Sequence, residues 1–399
     1  MRILMVGTFP FPDGGGGAGR ALHMQAKGLV MAGNEVLVAT CLGSLGRKVN
    51  VFDGIKVKSF CNSTINNNGL LAKISWIKGQ IAILGYLIYQ VLTCRNDSIV
   101  FYGAAPAFAV VALLGKAMKQ HTCFVQGDLM DSLNRSLLVY AERILAKNVS
   151  LILIGGSYLL ERRMNEISPT TKCLRLWPPT DTDFYASGRA VSAKKMLNFG
   201  DSIIIAYVGA VSSLEGVDKL IRSFAYVVSK HPEVMLVIAG PRLEHDPIMG
   251  TPIDYQAVVE SLELKDKVVF TGLLRMSEVA DLLAAAAVLV NPKVDHPANR
   301  VAAPIKIGEY LASGSPVLTT RICELDEWLV DRRDVLFCKS DDPVALVEGI
   351  CEILDDDDLS KCLARHGPKA ARRVCDYREW GKRVTEAIEK SDSKVHKMN

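Results

Sequence analysis

The sequence predicts an α/β protein of two Rossmann-like, doubly wound domains with a ligand cleft between them. Three observations carry that expectation. Short continuous apolar runs alternate with segments of helical periodicity along the whole chain. The alternation restarts after Trp177-Pro178-Pro179. The length, 399 residues, suits two or three domains at roughly 100–200 residues each. An apolar strand followed by an amphipathic helix marks a βαβ unit, and hence a parallel sheet covered on both faces.

In the first half the strand-like runs are Ile3–Gly7, Glu35–Cys41, Ile55–Phe60, Ser98–Gly103, Thr122–Gln126 and Leu151–Ile154. Leu22, Ala26, Leu29, Val30 and Gly33 place one apolar stripe on the helix after the first of them. Two long apolar stretches invite comparison with membrane spans. Ile99–Gly115 is broken by Gly103 and Pro106, so it reads as strand, turn and buried helix. Gly69–Leu92 carries Lys73, Lys78, Gln80 and Gln90. Neither supplies the roughly 20 continuous apolar residues a spanning helix needs, and no transmembrane helix is predicted.

The second series has strand-like runs at Ile203–Gly209, Val234–Gly240, Val268–Gly272, Val288–Asn291, Pro316–Thr320 and Val335–Cys338. Val217, Leu220, Ile221, Phe224, Ala225 and Val228 keep helical spacing after its first strand. Tyr377–Lys390 is polar and amphipathic, as suits a helix packed across a surface. The expected division is an N-terminal domain over 1–178 and a C-terminal domain over 179–375. Residues 376–399 would form a helix packing back toward the N-terminal domain, plus a polar tail.

Hydrophobic residues make up 49% and charged residues 23%, too apolar for a disordered chain. A net charge of only +4 excludes a histone-like nucleic-acid binder, and no nucleic acid is expected as partner. The total hides an asymmetry. Residues 1–180 hold 19 Lys/Arg and 9 Asp/Glu (+10), and the remainder 28 and 34 (−6). A basic first half beside the apolar Leu70–Leu92 segment suits docking on anionic lipid. A buried interdomain helix with ordinary surface lysines accounts for it equally well. Ten scattered cysteines without a Cys-x-x-Cys pair fit a reducing cytoplasm. The seven histidines form no His-Glu-x-x-His pattern, so no metal site is expected. The Ile3–Gly7 run is too short for a secretory h-region.

Gly14-Gly15-Gly16-Gly17-Ala18-Gly19 lies between strand and helix, where free backbone N–H groups can face a phosphate. A dinucleotide fingerprint is disfavoured: two prolines intervene before the glycines, and the second strand ends without a carboxylate. A loop closing over the cleft is the preferred reading, and an oxidoreductase is disfavoured. Asp181-Thr182-Asp183 matches a metal-binding Asp-x-Asp pair but falls in the linker, and Asp355–Asp358 reads as a solvated helix end. The richest stretch is Ala303-Pro304-Ile305-Lys306-Ile307-Gly308-Glu309-Tyr310-Leu311-Ala312-Ser313-Gly314-Ser315-Pro316-Val317. Pro304 starts a helix, Gly314 stops it, and Lys306 and Glu309 share one face of its first turns. A lysine and free N–H groups at a helix N-terminus suit a diphosphate; a carboxylate one turn on suits ribose hydroxyls.

That stretch resembles the donor-binding motif of family-4 retaining glycosyltransferases of the GT-B fold (glycosyl transferases group 1), in a Pro-x-Lys-x-x-Glu-Tyr version. The resemblance covers nearly the whole chain. It takes in Gly14–Gly19, Glu142 with Asn148 to Ser157, and the hinge Pro179-Thr180-Asp181-Thr182-Asp183-Phe184. It continues through Ala206-Tyr207-Val208-Gly209 with Gly216-Val217-Asp218, Val269-Phe270-Thr271-Gly272, and Tyr377 with Trp380. It implies transfer of a sugar from a nucleotide-diphosphate sugar to a glycan or lipid-linked acceptor hydroxyl, with retention, no cofactor and no metal. Glu309 would hold the ribose, and Lys306 with the amides of Ile305 to Ile307 the diphosphate. Leu274 would meet the base, Gly209 would border the donor, and Gly16 and Gly17 would close over it. Arg20 and Asp128 would lie on the acceptor side. Four positions depart from the family. Its first paired Glu falls at Val301, its clamping Arg and Lys at Ala210 and Glu215, and its His at Gly127. Asp295 or His296 would replace the lost carboxylate. The alternative is a catalytically silent homologue that binds nucleotide or a partner.

Overall fold

The computed structural model describes residues 1–7, 11, 17–43, 49–62, 70–127, 136–197, 200, 202–243 and 246–397. The chain forms two units: Met1–Thr180 with Val301–Ala303 and Cys375–Asn399, and Asp181–Arg300 with Pro304–Val374.

The first unit is built on strands β1 (Arg2–Gly7), β2 (Glu35–Gly43), β3 (Asn50–Phe52), β4 (Ile55–Asn62), β5 (Ser98–Tyr102), β6 (Thr122–Gln126), β7 (Leu151–Gly155) and β8 (Lys172–Leu176). They lie in the order β3-β4-β2-β1-β5-β6-β7-β8, parallel except for the β3–β4 pair. The period of two in β1 sorts its side chains between two cores. Ile3 and Met5 join Leu22, Leu29, Trp380 and Val384 on one face. Leu4 and Val6 join Ile83, Leu87, Phe108 and Leu145 on the other. Helices Leu70–Leu92, Pro106–Ala117 and Ser136–Asn148 pack side by side over this second face. No helix among the described residues is long and apolar enough to cross a membrane. Two strands escaped the sequence reading, and both are edges. β3 has three largely exposed residues, and β8 alternates polar and apolar positions, so neither shows a continuous apolar run.

The second unit is wholly parallel: β9 (Ile203–Val208), β10 (Val234–Ala239), β11 (Val268–Gly272), β12 (Ala286–Asn291), β13 (Val317–Thr320) and β14 (Leu336–Cys338), in the order β11-β10-β9-β12-β13-β14. Tyr207, Ile238 and Val290 on one sheet face meet Leu220 and Phe224 of helix Val217–Lys230 and Leu346 and Ile350 of helix Pro343–Asp355. The chain leaves β9 toward β10 and returns past it to β12, so strand order reverses between β9 and β12. In open α/β sheets the carboxyl ends of the strands at such a reversal are where ligands bind. The short acidic pairs find local uses: Asp181 accepts from Phe184 N–H at 3.1 Å to cap a helix, and Asp356 accepts from Leu359 N–H at 2.9 Å.

Helix Tyr377–Lys397 belongs to the first unit and crosses helix Gly17–Met31 at a pair of glycines. A Cβ at Gly28 would run into the Tyr377 carbonyl, and one at Gly381 into the Gly28 carbonyl. Backbone cannot yield as a flexible side chain does. Gly381→Val is therefore expected to destabilise the protein by about 2 kcal/mol or more in chemical denaturation, since overpacking typically costs that much. Gly85→Ala, in an exposed helix position with open space around it, is expected to be neutral or stabilising by up to about 1 kcal/mol.

Candidate functional site

Three segments of the second unit meet at the carboxyl ends of β9 and β12: the connection 209–216 after β9, the connection 292–300 after β12, and helix Ile305–Ser313. Glycine allows the first two to touch. Gly216 has φ +76°, and a Cβ there would strike the Pro292 carbonyl. Asn299, almost fully buried, donates to Leu214 O at 2.8 Å and Val294 O at 2.9 Å, stapling both connections. Asp246, after β10, accepts from Ser213 N–H at 2.7 Å and from the Ser213 hydroxyl, and from Ile248 and Met249 N–H at 3.0 Å. These bonds hold its carboxyl below the usual range although burial pushes the other way.

Within this frame three charges are packed together. Glu215 accepts from Lys306 Nζ at 2.6 Å through one oxygen and pairs with Lys293 Nζ at 2.9 Å through the other. Lys293 also donates to Asn299 Oδ1 at 3.0 Å. Lys306 donates to the Tyr207 hydroxyl at 3.0 Å, and its ammonium lies 4.3 Å from the Tyr207 ring centroid. Tyr207 directs its own O–H to Ala210 O at 2.7 Å. Burial pushes the Glu215 carboxyl up, but Lys306 and then Lys293 outweigh it and bring its pKa down to about 2. Burial lowers the Lys306 pKa; Glu215 opposes that, Lys293 adds to it, and Glu309 opposes it again. The cluster thus carries two ammonium groups against one bridging carboxylate. Each ammonium directs two of its three N–H bonds at these partners.

The cluster sits beneath the end of β9. Gly209 has φ +155°, and a Cβ there would lie 2.5 Å from Lys306 Nζ and 2.8 Å from the Tyr207 hydroxyl. Gly240 (φ +139°) backs onto the Gly209 carbonyl and donates its N–H to Gly272 O at 2.8 Å. Glycines therefore end β9, β10 and β11 in a row and leave the strand edge free of side chains. Helix Ile305–Ser313 is bounded by Pro304 and by Gly314 at φ +83°. Its tie to β9 is Tyr310, whose buried hydroxyl accepts from Val208 N–H at 2.7 Å and donates to Val208 O at 3.1 Å.

The structure brings Lys306 and Gly209 together and keeps Glu309, buried, on the same helix. Leu274 follows the end of β11, half-buried. Of the amides expected to meet the diphosphate, that of Ile307 donates to Pro304 O at 3.1 Å, so Ile305 and Lys306 supply the leading N–H groups. Asp295 is exposed and bound by Arg300 at 2.6 and 2.9 Å, which lowers its pKa. Val301, the position of the missing family carboxylate, is buried and apolar. Gly17 opens helix Gly17–Met31 rather than lying in a loop, with Arg20 one turn along it. Gly16 and Asp128 lie outside the described residues. Sequence reading missed Lys293 and Asn299, and counted Glu215 only as a lost lysine. The available signal was Lys293 two residues after an apolar strand that ends in Asn291.

Residues 202–356 match the family described as glycosyl transferases group 1. A D-inositol 3-phosphate glycosyltransferase of Streptomyces avermitilis is 29% identical over 194 residues, 47% of this chain and 39% of the relative. The alignment thus spans well under half of that relative. An uncharacterized glycosyltransferase of Methanocaldococcus jannaschii is 25% identical over 386 residues, 89% of this chain and 90% of the relative. The crystal structure of Anabaena HepE in complex with UDP superposes with a TM-score of 0.74 at 16% identity, covering 98% of this chain and 100% of that one. That likeness shows the fold, GT-B: two parallel-sheet α/β domains. Tyr310→Phe strips both Val208 backbone groups of their buried partner. It is expected to destabilise the protein by about 1–3 kcal/mol in chemical denaturation.

Proposed function

We propose that this protein is a retaining, metal-independent glycosyltransferase. It moves a hexose-type sugar from a nucleoside-diphosphate sugar to a hydroxyl of a glycan or lipid-linked acceptor, in the assembly of a surface polysaccharide or glycolipid. The observation that carries the reading is Lys306 on the first turn of helix Ile305–Ser313, beneath side-chain-free Gly209 at the point where strand order reverses. The diphosphate lies against Gly209 and the leading N–H groups of the helix, with Lys306 beside it; Glu309 takes the ribose hydroxyls, and the backbone at Leu274 the base. As the sugar C1–O bond breaks, the nucleoside diphosphate leaves with the electron pair. The acceptor oxygen bonds to C1 and passes its proton to an oxygen of the departing diphosphate. Charge grows on the leaving diphosphate, and fixed donors already aimed there stabilise it without reorganising. The complex of HepE with UDP makes uridine the first base to test.

The first unit supports a lipid-linked acceptor. Helices Leu70–Leu92, Pro106–Ala117 and Ser136–Asn148 contain one acidic residue, Glu142, and it is fully buried. The face they present carries Val110, Leu113, Leu137 (74% exposed) and Tyr140 (71% exposed) beside exposed Lys116, Arg143 and Lys147. Apolar and basic side chains without a carboxylate suit an anionic bilayer surface, at about 1 kcal/mol per basic residue close to it.

Thermal shift with UDP, GDP and ADP is expected to show stabilisation by one of them. Lys306→Ala should weaken that nucleotide at least about tenfold, the scale of a lost charge-assisted contact. Glu309→Ala should slow transfer; an unchanged rate removes its ribose role. Slow hydrolysis of the matching nucleotide sugar distinguishes an enzyme from a silent homologue. Binding to vesicles is expected to rise with anionic lipid and to fall with salt. A response to neither removes the membrane reading.

A further inference from the structure

Glu215 stands where a phosphate-clamping lysine would be read by family resemblance, yet it is the hub of the charge cluster. We propose that Glu215 is a positioning residue for the donor diphosphate: its two carboxylate oxygens hold the Lys293 and Lys306 ammonium groups side by side beneath the end of β9, each with an N–H left for phosphate. Lys293 is thereby the second cation of the subsite, supplied from the connection after β12. The inference rests on the reading of the protein as a nucleotide-sugar transferase and deepens it.

The geometry favours this over a mere strut. A strut between two connections needs one ion pair, and Asn299 already staples Leu214 to Val294. Here one carboxylate spends both oxygens on two lysines that come from different segments, at 2.6 and 2.9 Å. Every group facing Lys306 is assigned: Glu215 after β9, Lys293 after β12, Tyr207 on β9, and Glu309 on its own helix. Two buried ammonium groups that share one carboxylate would repel each other without it. Burial and Lys293 both disfavour the charged form of Lys306, and Glu215 is the larger of the two carboxylates opposing them. Without Glu215 one proton leaves this pair at a lower pH, and phosphate loses a partner. The sign follows: the defect is absent at low pH, where both lysines are charged, and grows as pH rises through the lowered lysine pKa.

The test is UDP affinity by calorimetry for the wild type and Glu215→Gln from about pH 5 to about pH 10, the span between documented buried lysines and a free one. The nucleotide's own ionisation cancels in the ratio of the two affinities. That ratio is expected to stand near one at the acidic end and to fall at least about tenfold toward the basic end. Glu215→Asp, which restores the charge, should flatten it. A ratio independent of pH, or a variant that binds as tightly as wild type throughout, overturns the positioning role while leaving the donor assignment intact. Failure of the wild type to bind UDP, GDP or ADP overturns the donor assignment itself. If Glu215→Gln does not fold, the E215Q/K293Q double variant asks the same question with one buried positive charge fewer. Its affinity ratio should still decline toward high pH, and a flat ratio contradicts the proposal.

Discussion

A carboxylate shared by two buried lysines sets the terms for the rest of the second unit. Burying any one of Glu215, Lys293 or Lys306 alone would cost several kcal/mol, so each requires the others to be within hydrogen-bonding distance. Meeting that requirement fixes three separate stretches of chain: 209–216 must turn back onto Pro292, 292–300 must fold under Asn299, and helix Ile305–Ser313 must begin directly beneath Gly209. The glycines follow from the same demand. At Gly209 a side chain would occupy the space of the Lys306 ammonium, and at Gly216 it would push the two connections apart.

The sheet explains why this cluster is also a place where a ligand can sit. Strand order reverses between β9 and β12, and the carboxyl ends of strands at such a reversal are where open α/β sheets take ligands. Tyr310 keeps the helix seated there by occupying both backbone groups of Val208, a job for a hydroxyl that both donates and accepts. A preorganised cation pair, a helix N-terminus and a bare strand end thus converge on one face.

Much of this was legible in the sequence. All six strands of the second unit announce themselves as mainly apolar runs because a parallel sheet covered on both faces leaves few polar positions. Helix Ile305–Ser313 was marked by Pro304 and Gly314, and Lys306 and Glu309 by their spacing within it. The partners of Lys306 were not legible. Glu215 lies 91 residues away and Lys293 lies in a different connection, and no periodicity links positions joined only by strand order. The bidentate bond between Asp295 and Arg300 was likewise not legible, although five residues separate them. The edge strands β3 and β8 were missed because edges carry no continuous apolar signal.

The central claim is that the crevice over Glu215, Lys293 and Lys306 receives the diphosphate of a nucleotide sugar. A crystal structure of the protein soaked with UDP tests it most directly. The expected result places both phosphates between Gly209 and the first turn of helix Ile305–Ser313, with Lys306 and Lys293 ammonium groups in contact and the ribose at Glu309. Phosphates bound elsewhere, with the Glu215 bridge untouched and no contact to either lysine, would contradict it.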